Sequence, residues 1–121
     1  MTNVRFKFEN LEIWQLGMAF ARSIYNASRK FPKIEQYGLT SQIRRAATSI
    51  PLNIAEGCGR RTKKDFANFL RNGIGSCLEV ITCLKIALQE NYLSPTTYDK
   101  LIQGGQEIYF KLIAFEKTLL V

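Results

Sequence analysis

The chain has 121 residues, 46% apolar and 22% charged, which fits one globular domain able to bury a core without disulfides or metals. No apolar run reaches the roughly 18 residues that span a bilayer. With no histidine, Ser–His and Cys–His nucleophile pairs and His-liganded metals are excluded. The net charge is +7 and unevenly placed: residues 1–64 hold twelve Lys/Arg against four Asp/Glu, and residues 65–121 hold five against six. A one-sided basic surface suggests an anionic partner, nucleic acid first, with a membrane surface or an acidic protein as alternatives.

Residues Met1 to Asn10 alternate basic, acidic and aromatic, unlike a signal peptide, which points to the cytoplasm. Periodicity then predicts helices throughout. The first covers roughly residues 10–29, with Asn10 as N-cap and Phe31-Pro32 ending it. Ile13, Leu16, Phe20, Ile24 and Ala27 form one apolar stripe. Leu11, Trp14, Met18, Ala21 and Tyr25 form a second, roughly opposite. In so small a bundle, a helix apolar on two sides implies a contact with another subunit.

The second helix is predicted over 39–57. Its core stripe is Leu39, Ile43, Ala46, Ala47, Ile50 and Ile54, with Arg44 and Arg45 directed sideways and outward. Pro51 lies in mid-helix and reads as a kink, with Thr48 and Ser49 available for the carbonyls it frees. Leu52 and Ala55 face away from the core stripe and extend the subunit surface. Gly57 stops the helix.

A third helix, over 63–91, opens with Thr62 as N-cap and Asp65 at the capping-box spacing. Phe66, Leu70, Gly73, Cys77, Ile81, Leu84 and Leu88 form a heptad-like seam. Gly73 and Gly75 predict close approach of another helix. Ser94-Pro95, an N-cap followed by proline at the first helical position, starts the fourth helix over 95–120. The expectation is an all-α, single-domain, antiparallel up-down-up-down four-helix bundle.

At residues 42–57 the sequence resembles a known family. The residues that carry the likeness are Leu11 and Trp14, Phe31-Pro32, Tyr37-Gly38-Leu39 and Ser41-Gln42-Ile43-Arg44-Arg45-Ala46. They continue through Ser49-Ile50-Pro51, Asn53-Ile54-Ala55-Glu56-Gly57, Gly75-Ser76 and Glu79. The pattern resembles the four-helix-bundle proteins encoded by intervening sequences of bacterial 23S rRNA genes, with retroelement accessory variability proteins as distant relatives. The resemblance implies a homo-oligomer, a ring of five bundles, with a binding role and no catalysis. For the retroelement relatives it implies nucleic acid and a reverse transcriptase as partners, at a distance too great for residue-by-residue transfer.

No catalytic residue is expected. Glu12, Glu56, Asp65 and Glu79 are dispersed, unlike the clustered carboxylates of a two-metal nuclease. Gly57-Cys58-Gly59 lacks the Walker ending. Cys58, Cys77 and Cys83 have no C-x-x-C spacing and read as reduced, mostly buried thiols. No metal or cofactor is predicted. The candidate binding residues are Arg60, Arg61, Lys63 and Lys64, together with Arg45 of the second helix. The first four lie where cations oppose the helix dipole and where free N–H groups suit a phosphate. Around a ring they would form a broad basic rim contacting phosphate backbone, with no motif for reading base sequence. Arg44 and Arg45 pair either with phosphate or with Glu56 or Glu79. Arg44, Asn53, Glu56, Leu52 and Trp14 are assigned to structure and interfaces, with Asn53 and Glu56 as interhelical hydrogen-bonders. Two functions follow: an oligomeric nucleic-acid-binding accessory protein, or a scaffold for a partner protein with incidental nucleic-acid contact.

Overall fold

Apolar periodicity dominates the architecture. The computed structural model describes residues 5–121, and among them the protein is all-α, with no strand. The helices are α1 (Glu12–Ser28), α2 (Leu39–Cys58), α3 (Lys63–Gln89) and α4 (Pro95–Leu119), with 3-10 turns at Lys7–Asn10 and Lys33–Glu35. Packing is most extensive between α2 and α3, intermediate for α1 with α2 and α3 with α4, and sparsest between α1 and α4. Ile24, Ile43, Ile50, Ile54, Leu70, Leu84, Ile108 and Leu112 are sealed at the centre. Each such side chain contributes about 1.5–3 kcal/mol on burial.

The turn signals at the starts of α3 and α4 operate as read. Thr62 Oγ accepts from the Asp65 N–H at 3.1 Å, and Ser94 Oγ accepts from Thr97 N–H at 3.1 Å ahead of Pro95. The start of α1 differs from expectation. Asn10 is the last residue of a 3-10 turn, and Leu11, with no side-chain cap, precedes the helix. The aromatic rings upstream provide the reason. Phe6 stacks on Phe8, and Phe8 packs at 5.1 Å on Trp14, so the chain is held down by rings and not by an Asn cap.

Pro51 is buried, and α2 runs through it unbroken. The carbonyl deprived of its partner belongs to residue 47. Thr48 and Ser49 do not serve it: Thr48 donates to the carbonyls of Arg44 and Arg45, and Ser49 shares a 2.8 Å hydrogen bond with Ser76. Entry into α2 is fixed by Glu35, whose carboxylate accepts from the Leu39 N–H at 3.0 Å and from the Tyr92 hydroxyl at 2.9 Å. At the other end Gly57 is buried inside the helix, which continues to Cys58. A Cβ there would lie 2.7 Å from Phe66 Cδ1 and 2.8 Å from Phe69 Cβ. Ion pairs Arg71–Glu116 and Lys111–Glu12 tie α4 to α3 and to α1.

The predicted glycine seam holds at one of its two positions. Gly73 faces Leu112, Asn53 and the Ile50 carbonyl at 3.8–3.9 Å, whereas Gly75 is exposed with nothing within 4 Å. No helix among the described residues approaches Gly75 closely.

Candidate functional site

At about 100° per residue, α2 divides into three faces. Leu39, Ile43, Ala46, Ala47, Ile50 and Ile54 point into the core, and all are buried. Arg44, Thr48, Pro51, Leu52 and Ala55 lie on the α1 side. Gln42, Arg45, Ser49, Asn53 and Glu56 form a polar stripe on the α3 side. The candidate residues fall on the last two faces and on the α2–α3 junction.

The junction carries the unpaired charge. Gly59 closes α2, with its N–H on the Glu56 carbonyl at 3.2 Å, and Arg60 N–H follows onto the Gly57 carbonyl at 3.1 Å. The Arg60 guanidinium lies over the Phe69 ring, 4.5 Å from its centroid, so one face is packed and the other open. Arg61, Lys63 and Lys64 are exposed and make no side-chain hydrogen bond or ion pair with the described residues. Asp65 is the one acidic residue in the first turn of α3. Three cations beside a positive helix end, without a compensating carboxylate contact, contribute nothing visible to folding.

Arg44 and Arg45 have different roles. Arg44 is half-buried against α1, where Nε donates to Ser28 Oγ at 2.8 Å and the guanidinium sits 4.8 Å from the Tyr25 ring centroid. Neither arginine pairs with Glu56 or Glu79; the structural partner of Arg44 is the nearly sealed Ser28, a hydroxyl of α1. Arg45 stands exposed in a groove of about 580 Å³ between α2 and α3, which Tyr37, Gln42, Ser49, Ser76 and Glu79 also line. Asn53 Nδ2 donates to the Ser49 carbonyl at 2.8 Å and to Ser49 Oγ at 2.9 Å. Asn53 therefore bonds within α2, and it is Ser49 that crosses to α3. Glu56 is exposed and forms no interhelical hydrogen bond among the described residues.

On the α1 side, Phe8, Trp14, Met18, Tyr25, Pro51 and Leu52 line an apolar groove of about 510 Å³. Leu52 is 61% and Met18 46% exposed. Trp14 and Leu52, assigned to an interface from sequence, meet on this surface. No thiol lines either groove: Cys77 is sealed, and burial pushes it up to about 12, while burial and then the Glu79 charge raise Cys83. No group of three His, Cys, Asp or Glu side chains gathers among the described residues. No helix among them is long and apolar enough to cross a membrane.

A sequence model described as "23S rRNA-intervening sequence protein" matches residues 9–114. The chain belongs to this family. A crystal structure of a protein of unknown function from the S23 ribosomal protein family of Bacteroides thetaiotaomicron has the same fold. Its TM-score is 0.81 at 24% identity, over 87% of this chain and 98% of that one. No curated protein matches. In this 23S rRNA-intervening sequence protein, the residues that carried the family likeness sort by face. Ile43, Ala46, Ile50 and Ile54 are core, Arg44 and Pro51 meet α1, and Tyr37, Ser41, Gln42, Arg45, Ser49, Ser76 and Glu79 line one groove. The groove was missed as a site from sequence. Its signal was the polar repeat Gln42, Arg45, Ser49, Asn53, Glu56 at spacings of three and four, beside a separate apolar stripe.

Proposed function

We propose that this protein is a non-enzymatic, cytoplasmic accessory protein that binds nucleic acid through its phosphate backbone, without reading base sequence. The observation that carries this reading is the junction itself: Arg60 stacked on Phe69, with Arg61, Lys63 and Lys64 exposed and unpaired among the described residues. Phosphate would occupy the place that carboxylates leave empty. The helices form an antiparallel up-down-up-down single domain. It assembles as a homo-oligomeric ring, five bundles by family resemblance, through the apolar α1–α2 face. Repetition multiplies the basic junctions around one rim.

A salt titration by fluorescence anisotropy tests the binding. The change of Arg60, Arg61, Lys63 and Lys64 together to alanine is expected to weaken binding. It should also flatten the plot of log K against log salt by about 0.9 for each lost duplex phosphate contact. Unaltered affinity and slope would refute the junction as the contact. The groove of Phe8, Trp14, Met18, Tyr25 and Leu52 also suits a second reading, a scaffold whose apolar face takes a partner protein. Light scattering separates the two uses of that face. If it joins copies, Leu52→Asp gives monomers; if Leu52→Asp leaves the oligomer intact, the face is free for another protein.

A further inference from the structure

The groove between α2 and α3, with Tyr37 at its far end, adjoins at Arg45 and Ser49 a second depression on α2 that Asn53 and Glu56 line, so the two follow the polar stripe of α2 toward the basic junction. From Gln42 to Glu56 the stripe rises about 21 Å. At about 3.4 Å per nucleotide of a stacked strand, that is room for roughly six nucleotides. Its chemistry differs from that of the junction. Arg45 lines both depressions, and two carboxylates flank it without pairing with it among the described residues: Glu79 in the groove and Glu56 in the depression that adjoins it. Gln42 makes no side-chain hydrogen bond with the described residues. Asn53 Oδ1 is an open acceptor, since only Nδ2 is engaged. Tyr37 presents a ring that is 91% exposed.

We propose that this groove selects single-stranded over duplex nucleic acid: Arg45 takes a phosphate, Tyr37 stacks on a base, and Glu56 and Glu79 accept from unpaired base edges. The inference rests on the nucleic-acid reading of the junction. The two carboxylates decide it. A duplex laid along the groove would bring phosphates onto Glu56 and Glu79, and the hydrogens of its Watson–Crick edges are already spent on pairing. An unpaired strand turns those hydrogens outward, where carboxylate and amide acceptors can take them. An exposed aromatic ring has value to a splayed base and none to a stacked pair. The Ser49–Ser76 hydroxyl pair joins the α2 and α3 walls of the groove.

Anisotropy with a labelled strand of roughly six nucleotides and with the same strand annealed to its complement provides the test. The single strand is expected to bind at least about tenfold more tightly than the duplex. Tyr37→Ala should lower single-strand affinity about tenfold, as for one lost stacking contact, and leave duplex binding unchanged. Tyr37→Phe should retain it. Arg45→Ala should lower single-strand affinity and its salt slope by about 0.7. Both positions are exposed, so folding is preserved, and circular dichroism checks that. If strand and duplex bind equally, and Tyr37→Ala matters to neither, while the quadruple junction variant weakens both, the groove proposal falls and the junction stands. If neither probe binds wild-type protein, both fall.

Discussion

Gly57 offers a direct test of how tightly the α2–α3 junction is built. A methyl group added there would lie 2.7 Å from Phe66 Cδ1, 2.8 Å from Phe69 Cβ and 3.2 Å from Phe66 Cε1. Phe69 Cβ is attached to the α3 backbone and cannot rotate away. The Phe66 ring is packed against Phe115 at 5.5 Å. Relief therefore requires the start of α3 to move, an overpacking penalty of about 1–3 kcal/mol. Replacing a helical glycine with alanine returns up to about 1 kcal/mol of propensity. Gly57→Ala should thus destabilise by about 1–2 kcal/mol, a loss of roughly 4–8 °C in Tm. Two other glycines of the bundle provide the control. At Gly73 the nearest atoms are 3.8–3.9 Å from the new methyl, and at Gly75 there are none within 4 Å. Both alanine variants should match wild type or gain up to about 1 kcal/mol. Urea unfolding followed by far-ultraviolet circular dichroism, at one fixed protomer concentration, ranks the three. A Gly57→Ala midpoint at or above wild type, or a reversed order of Gly57 and Gly75, would refute the close-packed junction.

The Glu35–Tyr92 bond gives stability a pH dependence. The Leu39 N–H, then the Tyr92 hydroxyl, hold the Glu35 carboxyl below its usual range, while donation to Glu35 raises Tyr92. The carboxylate's share is therefore full above its unfolded value of about 4.3 and fades as pH falls through the folded one; the phenol's share is full below about 10 and fades as pH rises. Tm measured from about pH 3 to 7 should fall less steeply in Glu35→Gln than in wild type, and parallel curves would contradict this. Arg44→Ala should cost about 1–2 kcal/mol through loss of the Ser28 bond and the Tyr25 stack. Arg44→Lys should not restore it, because the planar fork is what both contacts use; a wild-type urea midpoint for the lysine variant would count against the clamp. With a thiol-alkylating reagent on folded protein, half-buried Cys58 should react first and sealed Cys77, held near 12, only as fast as the chain opens. Equal labelling of the two by mass spectrometry would contradict the burial.

Much of the fold was legible because it rests on local signals. The α2 core stripe, from Leu39 to Ile54, depends only on helical spacing, and Thr62 and Ser94-Pro95 act within three residues of themselves. The start of α1 was not legible, because a favourable Asn cap lost to packing of Phe6 and Phe8 toward Trp14. Arg44 was read as pairing with phosphate or with Glu56 or Glu79, yet its partner is a hydroxyl sixteen positions earlier on α1. Charge pattern cannot anticipate that choice, which depends on how two helices are set against each other. Gly57, Gly73 and Gly75 look alike in sequence and differ only in what lies opposite. The groove was hidden for the same reason: Gln42 to Glu56 are a stripe in sequence, but Ser76 and Glu79 join them only through the register of α2 on α3.

The three faces of α2 have a consequence for how this protein can change over time. A surface helix ordinarily has one side in solvent, where substitutions are nearly free. On α2 that side is divided between a clamp to α1, an apolar groove and a polar channel, with Gly57 pinned at the end. Little of the helix remains on which neutral drift can accumulate. On α4, by contrast, Gln103, Gln106, Glu107 and Phe110 face outward with no hydrogen-bonded role. Saturation mutagenesis scored on folded, binding-competent protein should find tolerance concentrated there and scarce along α2. Residues 42–57 are therefore expected to be the stretch of the chain least free to vary.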